Sequence, residues 1–129
     1  MLSRHRDSAV EQSLQSLCGE IAGRSSVAGA CECGESVYSA RPESRDLLLI
    51  MEDYTEGLRY HTRRINAQPV TALAADKSLV ELDARKGAMG EFIVERLLTP
   101  FRPLRNPELL RSIEADTKER ILREELMEL

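Results

Sequence analysis

Apolar residues recur along the chain in two periods, and the change from one to the other marks its elements. Val10, Leu14, Leu17, Cys18 and Ile21 fall at spacings of four, three, one and three, the stripe of an amphipathic helix, which Gly23 closes. Ser25 to Cys33 alternates loosely in small and β-tolerant residues and predicts a strand, followed by a loop over Gly34 to Pro42. Asp46 to Met51 holds the run Leu47-Leu48-Leu49-Ile50-Met51, short and continuously apolar, which predicts a central strand covered on both faces. Leu58 to Ile65, a turn at Asn66-Ala67-Gln68-Pro69, and Val70 to Ala75 together predict a β-hairpin, with a short helix over 57–65 as its rival.

Leu79 to Arg85 and Gly90 to Leu98 predict helices, the second stopped by Pro100 and Pro103. Asn106 and Pro107 are the cap and first position of a long helix whose seam is Leu110, Ile113, Ile121, Leu122, Leu126 and Leu129. Glu114–Lys118, Asp116–Arg120 and Glu119–Arg123 are spaced as acid-first i,i+4 pairs along it. Because this helix ends still apolar at Leu129, it either packs on the preceding domain or leads to a missing region. The expected division is a domain over 1–105 and the helix over 106–129.

Helices and strands in this order predict an α+β domain with a mixed sheet and helices packed mainly on one face. A length of 129 residues fits one globular core. A net charge of -4 argues against bulk positive potential as a means of gripping nucleic acid, so any basic surface must be local. The local candidate is Arg59, Tyr60, His61, Arg63 and Arg64, where cations and rings interleave as on single-strand surfaces; a solvated hairpin strand is the plain alternative. Three cysteines, an odd number, and the lack of a basic-then-apolar leader point to the cytoplasm, and no apolar run approaches the roughly 20 residues of a membrane span. Cys31-x-Cys33 lacks the ligand spacing of a zinc site. With His5 and His61 as its histidines, the chain has little material for a nucleophile–base device.

The block Gly29-Ala30-Cys31-Glu32-Cys33-Gly34, a loop, and Ala40-Arg41-Pro42-Glu43-Ser44-Arg45-Asp46-Leu47-Leu48-Leu49-Ile50 resembles the polymerase-β-like nucleotidyltransferase superfamily. Lys86-Gly87-Ala88-Met89-Gly90-Glu91-Phe92 and Leu97-Leu98-Thr99-Pro100-Phe101 look like segments of predicted archaeal nucleotidyltransferases. The resemblance implies a Gly-Ser pair after the first helix and strand, then a strand carrying Asp-x-Asp, whose carboxylates hold the Mg²⁺ that bridges a nucleoside triphosphate. Here the Gly-Ser positions are Gly29 and Ala30, without the hydroxyl. An ungapped match puts the two Asp positions on Arg45 and Leu47; a match on Asp46 puts the first on Ser44, a poor ligand for a hard cation.

Asp46 and Ser44 are therefore the candidate catalytic residues, Asp46 the candidate metal ligand, and Gly29, Ala30, Arg41 and Arg45 the candidate phosphate-binding group. Glu32, Glu43, Glu52, Asp53 and Asp76 are the candidate second carboxylates. With one carboxylate missing, the expectation is an impaired or inactive nucleotidyltransferase, with Mg²⁺ and nucleoside triphosphate as cofactors if active. The alternative is a non-catalytic binding or regulatory module that keeps the fold, presenting Arg59, Tyr60, Arg63 and Arg64 to RNA or the last helix to a protein partner, including a second copy of the chain.

Overall fold

The computed structural model describes residues 3–129, with side-chain surroundings given from Ser8 onward; Met1, Leu2 and the His5 side chain lie outside the described part. The chain is α+β: α1 (Ser3–Ala22), β1 (Ser26–Cys33), β2 (Arg45–Glu52), β3 (Leu58–Ile65), β4 (Gln68–Asp76), α2 (Lys77–Lys86), β5 (Arg102–Arg105) and α3 (Pro107–Met127). The five strands form one mixed sheet in the order β3-β4-β2-β1-β5. β2 runs antiparallel to β1 and parallel to β4, so the predicted central strand is the middle of the sheet.

Alternation along β2 divides the core in two. Leu47, Leu49 and Met51 face α1, meeting Leu14, Leu17, Cys18 and Ile21. Leu48 and Ile50 face the other way, into Val80 and Ala84 of α2, Ile93, Val94 and Leu97 of the connecting segment, and Leu110 and Ile113 of α3. Two of the three helices thus cover one face, and α1 covers the other. Burying each of these Leu and Ile side chains contributes roughly 1.5–3 kcal/mol, which is why a continuous apolar run occupies the central strand.

The hairpin forms and its helical rival does not. Ile65 pairs with Gln68, leaving Asn66 and Ala67 as a two-residue loop, both with positive φ (49° and 67°), as a type I′ turn requires.

Three local expectations need correction. Gly90–Leu98 is no α-helix: Gly87, Gly90 and Glu91 are all left-handed, and regular structure is confined to a 3-10 turn at Val94–Leu97. The cause is Asp83, wholly buried, whose carboxylate accepts from the backbone N–H groups of Met89, Glu91, Ile93 and Val94 at 2.8–3.1 Å and winds the segment around itself. β5 went unpredicted because Pro103 reads as a stop; an edge strand of four residues pairing only with β1 tolerates a residue that cannot donate.

The third concerns α3. Glu114–Lys118 and Glu119–Arg123 form as spaced, at 2.6 and 3.1 Å, but Arg120 leaves Asp116 and turns inward. It is 6% exposed, donates to the Ala84 carbonyl at 2.8 Å, and pairs with Glu91 and Glu124. The predicted seam divides accordingly: Leu110 and Ile113 are core, whereas Leu122, Leu126 and Leu129 are exposed.

Candidate functional site

The carboxylate that opens β2 sits where the sheet's helix-covered face runs out. Strand register places Cys33, Asp46, Thr71 and Thr62 in one row across β1, β2, β4 and β3, on the face that α2 and α3 cover further along. Asp46 itself is exposed. With Glu35, Ser36, Ser39, Arg41, Pro42, Glu43 and Ser44 it lines a cleft of about 400 Å³ beneath the loop that joins β1 to β2. Gly34 is left-handed (φ 77°) and so close that a Cβ there would lie 3.3 Å from Asp46 Oδ2.

Desolvation raises the Asp46 pKa above the usual carboxylate value, Arg96 opposes the rise, and Glu32 adds to it. A carboxyl whose folded pKa is raised costs stability when it ionises: the cost is absent below the unfolded pKa of about 3.9 and complete above the folded one. Asp46→Asn is therefore expected to raise the denaturation midpoint at pH 7, with the gain shrinking towards zero as the pH falls below the carboxylate range. Urea titrations of both proteins at several pH values check this, and a lower midpoint for the variant at pH 7 would contradict it.

Two carboxylates must meet to clasp a hard divalent ion. On the strand, the positions two steps from Asp46 are Ser44, an exposed loop residue, and Leu48, which is core. Glu32 pairs with Leu47 and so points to the opposite face of the sheet from Asp46. Glu52, Asp53 and Asp76 lie at or beyond the far end of β2, about 20 Å away along the strand. Glu52 is paired with Lys77 at 3.7 Å, and Asp76 caps α2 by accepting from Ser78 N. Glu43 shares the cleft, yet among the described residues no group of three or more His, Cys, Asp or Glu side chains could hold a metal ion. The donor set does not fit the bridging Mg²⁺ that the resemblance implies.

The candidate phosphate group divides: Gly29 and Ala30 stand apart, while Arg41 and Arg45 line one cleft on the α1 face. Gly29 and Ala30 lie within β1 instead of at a strand end. Ala30 is buried against the α1 side, and Gly29 lies under α3, where a Cβ would come 3.2 Å from Leu109 Cδ2. Arg45 is a strand residue on the α1 face, bound to Glu32 Oε2 and Gln68 Oε1 at 2.8 Å each. Arg41 remains in the exposed loop, its backbone N–H donating to Ser39 Oγ.

The hairpin cations separate by register: Tyr60, Thr62 and Arg64 share the Asp46 face, while Arg59, His61 and Arg63 lie on the other. Tyr60 meets Phe92 edge-on with centroids 6.4 Å apart, Arg96 lies 4.8 Å over the Phe92 ring, and Arg96 donates to Tyr60 Oη at 3.1 Å. Phe92 and Arg96 belong to this surface although nothing in their spacing announces it; only the course of the 87–94 segment brings them to the hairpin.

The thiols offer no reactive group. Burial pushes Cys18 up to about 11, and a hydrogen bond with Cys33 together with burial pushes Cys31 well above the usual range. His61, whose imidazolium is disfavoured by burial and by Arg59 and Arg63, stands on the opposite face from Cys31 and Cys33. No protein-family model matches the chain, and no curated protein matches it. No described helix is long and apolar enough to cross a membrane.

Proposed function

We propose that the chain is a nucleotidyltransferase-like domain that has lost nucleotidyl transfer and acts as a non-catalytic binding module. The order of elements supports the first part: a leading helix, then a strand antiparallel to a central one, which is in turn parallel to a later strand. One observation carries the second. Asp46 stands in its row between Cys33 and Thr71, with its expected partner positions taken by a loop serine and a core leucine. Three free, buried cysteines support placing it in the cytoplasm.

The test is a titration of the ¹⁵N-labelled protein with Mn²⁺, then with ATP and Mg²⁺, following amides 29–46. On this reading Mn²⁺ broadens no resonance around Asp46 selectively, and no pyrophosphate is released from ATP. Selective broadening there at micromolar Mn²⁺ would restore the enzyme reading.

Among partner classes, the Tyr60–Phe92–Arg96 platform with Arg64 favours single-stranded RNA, because half-exposed rings beside a guanidinium stack bases without sequence preference. A salt-dependent gel shift weakened by Tyr60→Ala is the expected signature. A protein partner or a second copy of the chain on Leu122, Leu126 and Met127 would show instead as a mass change in light scattering.

A further inference from the structure

A second cleft lies on the other side of the β1–β2 loop, on the α1 face, and its lining is of one charge. Arg41, Arg45 and Arg102 all contribute to it, together with Ser36, Ser39 and Gln68, in a space of about 510 Å³ that no acidic side chain among the described residues lines. Glu32 is fully buried, with Arg45 Nη1 at 2.8 Å from one oxygen and Arg102 Nη1 at 3.5 Å from the other.

Glu32 thereby holds two guanidinium groups side by side. β1 supplies it from between β2 and β5, and register sets Arg102 directly opposite it. The three arginines and Glu32 sum to two positive charges. Among the described residues, Arg45 uses Nε on Gln68 and Nη1 on Glu32, which leaves Nη2 for a ligand. Arg102 has a single 3.4 Å bond from Nη2 to the Val37 carbonyl, so its Nε is likewise available.

Ser36, 4% exposed, lines both this cleft and the Asp46 cleft, but its Oγ is sealed from solvent, so the three arginines carry the site.

We propose that this cleft binds a small phosphate monoester, its phosphate gripped by Arg41, Arg45 and Arg102. A phosphate monoester carries about 1.5 to 2 negative charges at neutral pH, matching the two excess positive charges, and planar guanidinium groups fit its oxygens in pairs. A carboxylate would leave one of those charges uncompensated. The volume falls in the range of roughly 300–1,000 Å³ usual for small-molecule sites. Ser36, Ser39 and Arg41 line the Asp46 cleft as well, but Arg45, Gln68 and Arg102 belong to this one alone, so the proposal does not depend on whether nucleotidyl transfer is lost.

The experiment is titration of the whole chain with glycerol 3-phosphate at constant ionic strength, following the amides of residues 36–42 and the arginine Nε–H signals, with chloride and acetate as controls. Saturation below about 1 mM is expected, since several charge-assisted bonds would form in one cleft. Arg102→Gln is expected to weaken binding by about tenfold, for loss of one charge-assisted contact. Arg41→Gln serves as a second charge variant in a loop where folding is not at stake. The proposal is overturned by the absence of saturation at 10 mM, by equal shifts with acetate, or by unchanged affinity in both Arg102→Gln and Arg41→Gln.

Discussion

Asp83→Ala is expected to lower the unfolding free energy by roughly 3–5 kcal/mol, placing it among the exceptional single substitutions. Four backbone N–H groups converge on this carboxylate, from Met89, Glu91, Ile93 and Val94, in a setting with no access to water for Asp83 itself. A donor buried without its acceptor costs about 1–3 kcal/mol, so four would sum to more than many domains possess. The 87–94 segment limits the loss by peeling away and letting its amides find water. Peeling removes Ile93 and Val94 from the core, and it takes Glu91 from Arg120. Asp83→Asn, keeping one acceptor oxygen but turning an amide N–H₂ towards the other donors, is expected to be nearly as damaging. Urea denaturation gives the magnitude, and hydrogen exchange at the four amides gives the location. A loss below about 1 kcal/mol with unchanged exchange protection would mean that the carboxylate is not what winds this segment.

Arg45→Met is expected to cost a similar amount, roughly 3–5 kcal/mol, the usual penalty for removing one member of a buried ion pair. Glu32 has no exposure, and Arg45 only 12% in its side chain; without Arg45 the carboxylate keeps only the more distant and half-open Arg102. The double variant Glu32→Leu/Arg45→Met should recover much of the loss, because no desolvated charge is then left alone and Arg102 can turn to solvent. Stability below that of Arg45→Met alone in the double variant would show that Glu32 has a further stabilising partner. The prediction also bears on the resemblance: an ungapped match puts a metal-binding carboxylate at position 45, whereas the arginine there ties β2 to β1 and β4.

Most of the secondary structure was legible in the chain because periodicity reports which side of an element meets the core. The stripe from Val10 to Ile21, the apolar run from Leu47 to Met51 and the pair of segments around Asn66 each name an element and the faces it buries. The Asn106 cap was equally plain, since its side chain accepts from Leu109 N just where the pattern starts. Two of the three errors share a cause; the third, β5, was hidden by Pro103. At Gly90–Leu98 and at Arg120, a buried charged group satisfied by distant partners overrode a local preference, and neither Asp83 nor Arg120 carries any local mark of burial.

The candidate site divides in the same way. The absence of a carboxylate two steps from Asp46 could be read directly, because a strand puts residues i and i+2 on one face whatever else the fold does. That Arg45 and Asp46 would serve opposite faces also follows from their being neighbours. Which strands stand beside β2 did not follow, and with that went everything the neighbours bring: Glu32 and Arg102 under one cleft, Thr71 and Thr62 beside the other, Arg96 and Phe92 against the hairpin. The sequence alone determined most of the elements, the faces they bury and the lack of a carboxylate two steps from Asp46, since each depends on spacing within a single strand or helix. Only the tertiary structure decided which charges meet between elements, because a pairing across three strands is set by register and by the energy of burying two opposite charges together, and neither is written in any one segment.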